Sequence, residues 1–350
     1  MNTLQTFSSD FAALVSQSRR IAVITHMAPD GDAMGSALAV RHWLQAQDNT
    51  KEVTVILPTS APDFLQWMPG AEDCLVHEHR REDAERALAE ADMIVCTDFN
   101  EPSRVGALAE MLQNASCPKV LIDHHLHPAG FAQAVLSCPE APATCQLVCH
   151  LIMQQGGTLS ENVATCLYTG LMTDTGNFSY NSRNADLYRI VAALIEAGVD
   201  KDAVYDRVFN QYSVDRIRLV GYSLERKMKV FAEHHTALIA LSRKELYRFK
   251  FRSGDAEGIV NMPLQSKDIF YSCFMREDKA TPEEQAAHGG CKIKVKISFR
   301  SQGNRPVNVF AKEVFNGGGH MNASGGEFYG PVSAAVQRFI ANYPRYFKKG

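Results

Sequence analysis

No stretch of the chain approaches the roughly 20 consecutive apolar residues that a membrane-crossing helix needs. The opening residues, MNTLQTFSSDFAALVSQSRR, lack the basic-then-apolar pattern of an export signal. Nine cysteines occur, yet no CxxC pair is among them, and the odd count leaves no closed disulfide set. Several lie inside apolar runs, as in Met93-Ile94-Val95-Cys96, which suits a reduced setting. The expectation is therefore a cytoplasmic protein without a membrane partner. A basic surplus is also missing: the formal net charge is −3. Neutralising a long duplex backbone needs a basic surface, so long duplex nucleic acid is excluded as a partner. A short ligand with few phosphates needs only a local positive site and stays in play. No internal repeat or low-complexity tract stands out.

What is present is enough chain for two cores: 350 residues, 45% hydrophobic and 21% charged. Ile21-Ala22-Val23-Ile24-Thr25, Val53–Leu57, Met93–Thr97 and Val120-Leu121-Ile122 read as buried strands, and Gly31–Gln47 between the first two reads as a helix. Continuous apolar strands alternating with helices predict an α/β, doubly wound, mostly parallel sheet. From about Cys145 to Val208 the pattern turns helical, including Ala185–Ala197 with Asn184 as N-cap and Gly198 past its end. Ser213–Lys229 reads as a connecting helix. The expected organisation is a catalytic domain over 1–210, a helical linker over 211–229 and a smaller α+β domain over 230–350. In that last part Lys292–Arg300 alternates apolar and polar residues as a half-buried strand, and Glu277–Gly290 reads as an exposed loop.

Three of the buried strands run directly into acidic or histidine residues. The first leads to His26, Asp30 and Asp32, the second to Asp98, and the third to Asp123-His124-His125. Ligands of open α/β sheets bind at the carboxyl ends of strands, so these residues are expected on one rim. A fourth segment, Thr173-Asp174-Thr175-Gly176, follows the apolar run Leu167–Met172. Five carboxylates gathered on one rim repel one another unless cations neutralise them. Carboxylate and imidazole without thiolate suit Mn²⁺ or Mg²⁺, with Fe²⁺ or Co²⁺ as alternatives. The donor count exceeds the needs of one ion, and two ions sharing a carboxylate would suit phosphoryl transfer. Singly, each residue has a plainer role: Asp32 could cap the helix after it, and His42, His77, His79, His127, His234 and His235 are assigned none. In the second part, Gly317-Gly318-Gly319-His320 lets backbone N–H groups approach an anion, and Arg300-Ser301 ends the alternating strand. An arginine there suits bidentate phosphate binding.

Taken together, His26-x-x-x-Asp30-x-Asp32, Asp98, Asp123-His124-His125 and Thr173-Asp174-Thr175-Gly176 resemble the four motifs of the Asp-His-His (DHH) phosphoesterase superfamily. The Gly-Gly-Gly-His segment with Ala323-Ser324-Gly325 resembles its associated C-terminal substrate-binding domain. Length and layout are similar to the branch acting as nanoRNase (oligoribonuclease) and 3′-phosphoadenosine 5′-phosphate phosphatase, whose relatives are often labelled exopolyphosphatase-like. The resemblance implies a phosphoric ester hydrolase that uses two divalent cations, Mn²⁺ first, with Mg²⁺ or Co²⁺ as alternatives. It implies His26 and Asp30 on one ion, Asp98 bridging, and Asp32, His124 and Asp174 on the second. Asp123 would orient a ligand histidine, and His125 would face the substrate phosphate. Arg300 and His320 would reach the phosphate, with Gly317, Gly318, Gly319, Ser301 and Asn308 lining the approach. Implied substrates are short oligoribonucleotides, with cleavage polarity open, and 3′-phosphoadenosine 5′-phosphate. Cyclic dinucleotides and polyphosphate follow, a nucleotide-binding sensor is the non-enzymatic alternative, and a homodimer is compatible. Relatives commonly carry a fourth glycine where this chain has Asn316, a residue that tolerates a left-handed backbone.

Overall fold

The structure is a computed structural model that describes residues 2–252 and 254–347. The chain forms two compact units that divide after Gln211. In the first, β1 (Arg20–Ile24), β2 (Glu52–Leu57), β3 (Leu75–Val76), β4 (Met93–Thr97), β5 (Lys119–Asp123) and β6 (Ala134–Ser137) make one sheet. Its order is β3-β2-β1-β4-β5-β6 and every neighbouring pair is parallel. The order reverses between β1 and β4, which creates the crevice where such sheets bind ligands.

Helices α1 (Asn2–Gln17), α2 (Gly31–Gln47), α3 (Arg81–Ala89), α4 (Ala109–Asn114), α5 (Thr144–Gln154), α6 (Glu161–Asp174), α7 (Ala185–Glu196) and α8 (Lys201–Phe209) complete the unit. Both sheet faces are covered, which is why the strands read as unbroken apolar runs. Ile21, Val23, Val95 and Ile122 join a core with Phe11, Met34 and Trp43 from α1 and α2. Ala22, Ile24, Ile94 and Leu121 join another with Leu88 of α3 and Leu112 of α4. Burial of such side chains contributes about 1.5–3 kcal/mol each.

The second unit contains α9 (Val214–Tyr222), β7 (Met228–Phe231), β8 (Thr236–Leu241), α10 (Arg243–Arg248), β9 (Tyr271–Lys279), α11 (Pro282–Ala287), β10 (Ile293–Ser301), α12 (Asn308–Phe315), β11 (Gly318–His320), β12 (Ala323–Tyr329) and α13 (Val332–Asn342). Its sheet has the order β11-β12-β10-β9-β8-β7, with only β8 and β9 parallel. Val295, Ile297 and Phe299 of β10 pack on Phe310, Phe315 and Phe339 of α12 and α13.

Two expectations in this part are corrected. The helix expected over Ser213–Lys229 is α-helical over Val214–Tyr222 and widens to a π-helical turn over Ser223–Lys227, but it ends there, because β7 starts at Met228. Pairing of β7 with β8 overrides the helical charge pattern there. This helix is also not a free-standing connector, because Leu219 is buried with Ile239, Leu246 and Ile259 of the second unit. The loop expected over Glu277–Gly290 is the end of β9 followed by α11. Lys279, Asp278 and Glu277 pair with Ile293, Lys294 and Val295, and a Thr281/Glu284 capping box starts α11. No described helix is long and apolar enough to cross a membrane.

Candidate metal centre

The four chemical segments meet at the carboxyl end of the first unit's sheet, beside the point where strand order reverses. Beyond β1, Asp30 caps α2, its Oδ1 accepting from the backbone N–H of Asp32 and Ala33 at 3.1 Å each. Asp32 therefore does not cap its own helix. Its fully buried carboxylate accepts from the N–H groups of Thr144 (2.6 Å) and Cys145 (2.9 Å), where α5 has no side-chain cap of its own. One carboxylate thus closes a foreign helix N-terminus and faces the cluster.

Asp98 follows β4 in the left-handed region, with φ 65°, a conformation aspartate visits at a cost of roughly 1 kcal/mol. Its N–H stays tied to the sheet through the Ile122 carbonyl at 3.0 Å. This bend places both carboxylate oxygens at the centre of the cluster. Oδ2 is 3.4 Å from His26 Nε2, while Oδ1 is 3.5 Å from His124 Nε2 and accepts from the Thr144 hydroxyl at 2.9 Å.

His124 Nε2 is also 3.5 Å from Asp174 Oδ2 and 3.8 Å from Asp32 Oδ2, and His26 Nε2 is 4.0 Å from Asp30 Oδ1. Asp174 ends α6, and the close crossing of α6 over α2 brings it in. A Cβ on Gly31 would lie 2.2 Å from Thr173 Oγ1, and one on Gly170 would lie 2.3 Å from Cys145 Sγ and 3.0 Å from Asp32 Oδ1. Donor atoms within 4.8 Å of one another form three trios: His26/Asp30/Asp98, Asp32/His124/Asp174 and Asp98/His124/His125.

The imidazoles are oriented from behind. His26 Nδ1 lies 2.9 Å from the Met27 carbonyl, and His124 Nδ1 lies 3.1 Å from the Ala141 carbonyl. A carbonyl accepts only, so each Nδ1 carries hydrogen and each Nε2 turns toward carboxylates. A neutral Nε2 lone pair facing carboxylate oxygens needs a proton or a cation between them. His125 is arranged differently, with Nδ1 2.7 Å from Asp123 Oδ1. Asp123 thus orients His125, whereas His124 is oriented by a backbone carbonyl.

The electrostatics say the same. Burial opposes protonation of His26, but its hydrogen bond to Asp98 and the charges of Asp30 and Asp98 push it up to about 9. Burial and then the Asp98 charge push Asp32 up to about 7. Burial, Asp32 and Asp30 push Asp174 well above the carboxylate range. Asp98 moves the other way: against its burial, the hydrogen bond from His26 and the charge of His124 hold it well below that range. On His124, Asp98 and Asp32 outweigh burial and raise it. Protons stand where positive charge is required, and the all-oxygen and imidazole donor set fits hard divalent cations.

In the second unit, Arg300 lies opposite Ala323 across β10 and β12, and Ala323 lies opposite His320 across β12 and β11. Arg300 and His320 therefore share one sheet face, their Cα atoms about 10 Å apart across the intervening β12. Gly318 has open space above it, whereas a Cβ on Gly317 would meet the Gly325 carbonyl at 1.8 Å. Asn316 takes φ 50°, the left-handed conformation suited to asparagine, and closes α12. Ser301 and Asn308 serve the local fold: the Ser301 hydroxyl donates to the Arg305 carbonyl and accepts from Asn322, and Asn308 Oδ1 accepts from the Val309 N–H.

Sequence reading missed Thr144, Cys145 and Ala141. A signal existed: Ala141-Pro142-Ala143-Thr144 opens an apolar helix with no capping residue at Ala143, so an acceptor from elsewhere was required.

Residues 20–171 match the DHH family, N-terminal domain. The chain is 42% identical to an exopolyphosphatase-related protein from Bacteroides fragilis, whose crystal structure superposes with a TM-score of 0.90 over 98% of this chain and 96% of that one. It is 29% identical to the bifunctional oligoribonuclease and PAP phosphatase NrnA of Thermus thermophilus, over 91% of this chain and 88% of the relative. It is 26% identical to the cyclic-di-AMP phosphodiesterase GdpP of Bacillus subtilis, over 96% of this chain but only 49% of that protein. With that likeness over nearly its whole length, and with the Asp-His-His cluster at the head of its sheet, the chain belongs to the DHH family of phosphoesterases.

Proposed function

We propose that this phosphoesterase hydrolyses the phosphate esters of short oligoribonucleotides and of 3′-phosphoadenosine 5′-phosphate. One observation carries the reading. Four carboxylates converge with histidine Nε2 atoms whose Nδ1 atoms are already committed to backbone carbonyls. His26, Asp30 and Asp98 would hold one divalent cation, and Asp32, His124 and Asp174 a second, with Asp98 between them; Mn²⁺ is the ion of choice. Bound there, such ions supply a water activated at neutral pH and screening of phosphoryl charge.

The rest falls to the chain. Asp123 fixes the His125 ring, which would face the substrate phosphate. Thr144 holds the Asp98 carboxylate in place, so little reorganisation is needed as charge develops. Arg300 and His320, on one face of the second sheet, are the phosphate donors of that unit, with the Gly318 backbone open beside them. The likeness to the Thermus thermophilus protein supports nucleotide ligands of this size. The likeness to GdpP supports a second reading, a cyclic-dinucleotide or linear-dinucleotide phosphodiesterase built on the same centre.

The test is a panel of di- to pentaribonucleotides, 3′-phosphoadenosine 5′-phosphate, cyclic dinucleotides and polyphosphate, each with Mn²⁺ and with Mg²⁺. Release of mononucleotide or orthophosphate from the first two classes is expected. Turnover confined to polyphosphate overturns the reading. In Asp98→Ala and His124→Ala proteins turnover is expected below about a hundredth of normal.

A further inference from the structure

Three large side chains with apolar surface stand exposed on the segments that carry the charged cluster. Met27 is 45% exposed, Leu126 45% and Tyr180 50%. They come from three different segments, and each adjoins the centre in sequence. Met27 follows His26, Leu126 follows His125, and Tyr180 stands six residues beyond Asp174. His26, His125 and Asp174 all belong to trios around the same carboxylates, so these side chains are carried on segments that meet at one site.

The backbone that presents Tyr180 is unusual. Gly176, Asn177 and Phe178 have φ of 53°, 54° and 61°, a left-handed turn of three consecutive residues, and Asn181 adds another at 50°. Such a conformation costs roughly 1–2 kcal/mol for each non-glycine residue, and most of all for a bulky one such as Phe178. Strain of this kind persists where the surrounding structure imposes it, and it clusters at ligand sites. Here Phe178 is held by the rings of Tyr168 and Tyr188, and its N–H donates to Thr175 Oγ1 at 3.0 Å.

The result is that the chain doubles back. The Tyr180 N–H reaches the Thr175 carbonyl at 3.1 Å, and the Tyr180 ring lies over Gly176, where a Cβ would stand 2.2 Å from it. Gly176 Cα is no more than about 7.6 Å from that of Asp174, two residues away. An exposed aromatic ring is thus fixed within one nucleotide's reach of the carboxylates.

Resting on the function proposed above, we infer that Tyr180 is a specificity-determining residue: its ring stacks on the nucleobase adjoining the scissile phosphate, with Met27 and Leu126 as the apolar flanks of that base site. The ligand class that follows carries a flat, unsaturated ring next to its phosphate. Inorganic polyphosphate has no such group and gains nothing from this rim. Stacking of a base on an aromatic side chain contributes about 1–3 kcal/mol, a factor of roughly 5 to 150 in affinity.

The experiment compares wild-type, Tyr180→Phe and Tyr180→Ala proteins. Tyr180 belongs to neither core of the first unit, so both variants retain a folding chain. Steady-state kinetics with Mn²⁺ use a diadenylate and the same dinucleotide made abasic on the side of the scissile phosphate. For Tyr180→Ala, KM for the diadenylate is expected to rise at least about 5-fold with kcat little changed, KM for the abasic compound to stay put, and Tyr180→Phe to behave as wild type. An equal effect on both compounds, or none on either, overturns the inference while the hydrolytic function stands. A binding arm needs no turnover: fluorescence of a 2-aminopurine dinucleotide is expected to be quenched by wild type and Tyr180→Phe and not by Tyr180→Ala. Equal quenching by all three overturns the inference. Quenching that depends on Tyr180 in a protein with no hydrolysis supports the base site and removes the proposed reaction alone.

Discussion

Asp98 concentrates the chemistry of the first unit in one side chain. Its two oxygens face His26 and His124, and the Thr144 hydroxyl holds the second of them. Removing that hydroxyl without changing shape is the sharpest test of its role. Thr144→Val is expected to keep the fold and weaken Mn²⁺ affinity roughly 10- to 100-fold, since partners behind ligands carry effects of that size. Calorimetric titration of the metal measures this, and unchanged affinity would remove Thr144 from the site. Glu245 supplies a residue-scale test far from the centre. Burial opposes its charge, but Lys227 at 2.8 Å, Ser242 and Tyr222 hold it down to about 2 from an ordinary 4.5. A depressed carboxylate contributes stability that is complete above 4.5 and is lost as pH falls toward 2. Glu245→Gln is therefore expected to lower stability at pH 7 by about 1–2 kcal/mol, with the gap closing in urea melts at pH 3 and below.

Among the elements, the α2/α6 crossing sets where Asp32 and Asp174 stand. A Gly170→Ala methyl would press on Cys145 Sγ and Asp32 Oδ1, costing about 1–3 kcal/mol through overpacking and displacing a cluster carboxylate. Urea unfolding and Mn²⁺ titration should both register the change; a variant with native values in both would show that the crossing has slack. Elements of this unit were plain in the sequence for a physical reason. Strands buried on both faces leave unbroken apolar runs, and the residues just past Ile24, Thr97 and Ile122 are at the rim by topology alone. Helix α2 runs over the expected Gly31–Gln47, an apolar interior between polar ends that is buried on every side over its first ten residues. What stayed hidden depends on distant pairing. Nothing local shows that Asp32 caps α5, which begins 112 residues later. The edge strand β7 carries a helix-like charge pattern and becomes a strand only by pairing with β8. The start of α11 was legible, since Thr281-Pro282-Glu283-Glu284 is a capping box with proline at the first helical position. The surrounding charges and glycines masked it.

On the scale of the whole molecule, charge balance ties stability to pH and to metal. His26 at about 9 and Asp32 at about 7 both lie above their ordinary values, so each favours the folded state while protonated. The contribution of Asp32 is lost as pH rises through 7 and that of His26 as it rises through 9. Chelator-treated protein is thus expected to lose thermal stability from about pH 4, where Asp32 begins to ionise in the unfolded chain, to about pH 9. Saturating Mn²⁺ should flatten that dependence, adding about 2.7 kcal/mol at 100 times Kd. Metal uptake should release protons, visible as a buffer-dependent heat of binding. A melting temperature indifferent to pH in chelator would refute this coupling. The bond from Asp32 to the head of α5 carries one more implication, for the order of events during synthesis. Position 144 leaves the ribosome long after position 32, and until it docks, Asp98 lacks its hydroxyl partner and Asp32 its two amides. A nascent or partly unfolded chain thus lacks the groups that orient two carboxylates of the proposed cation site.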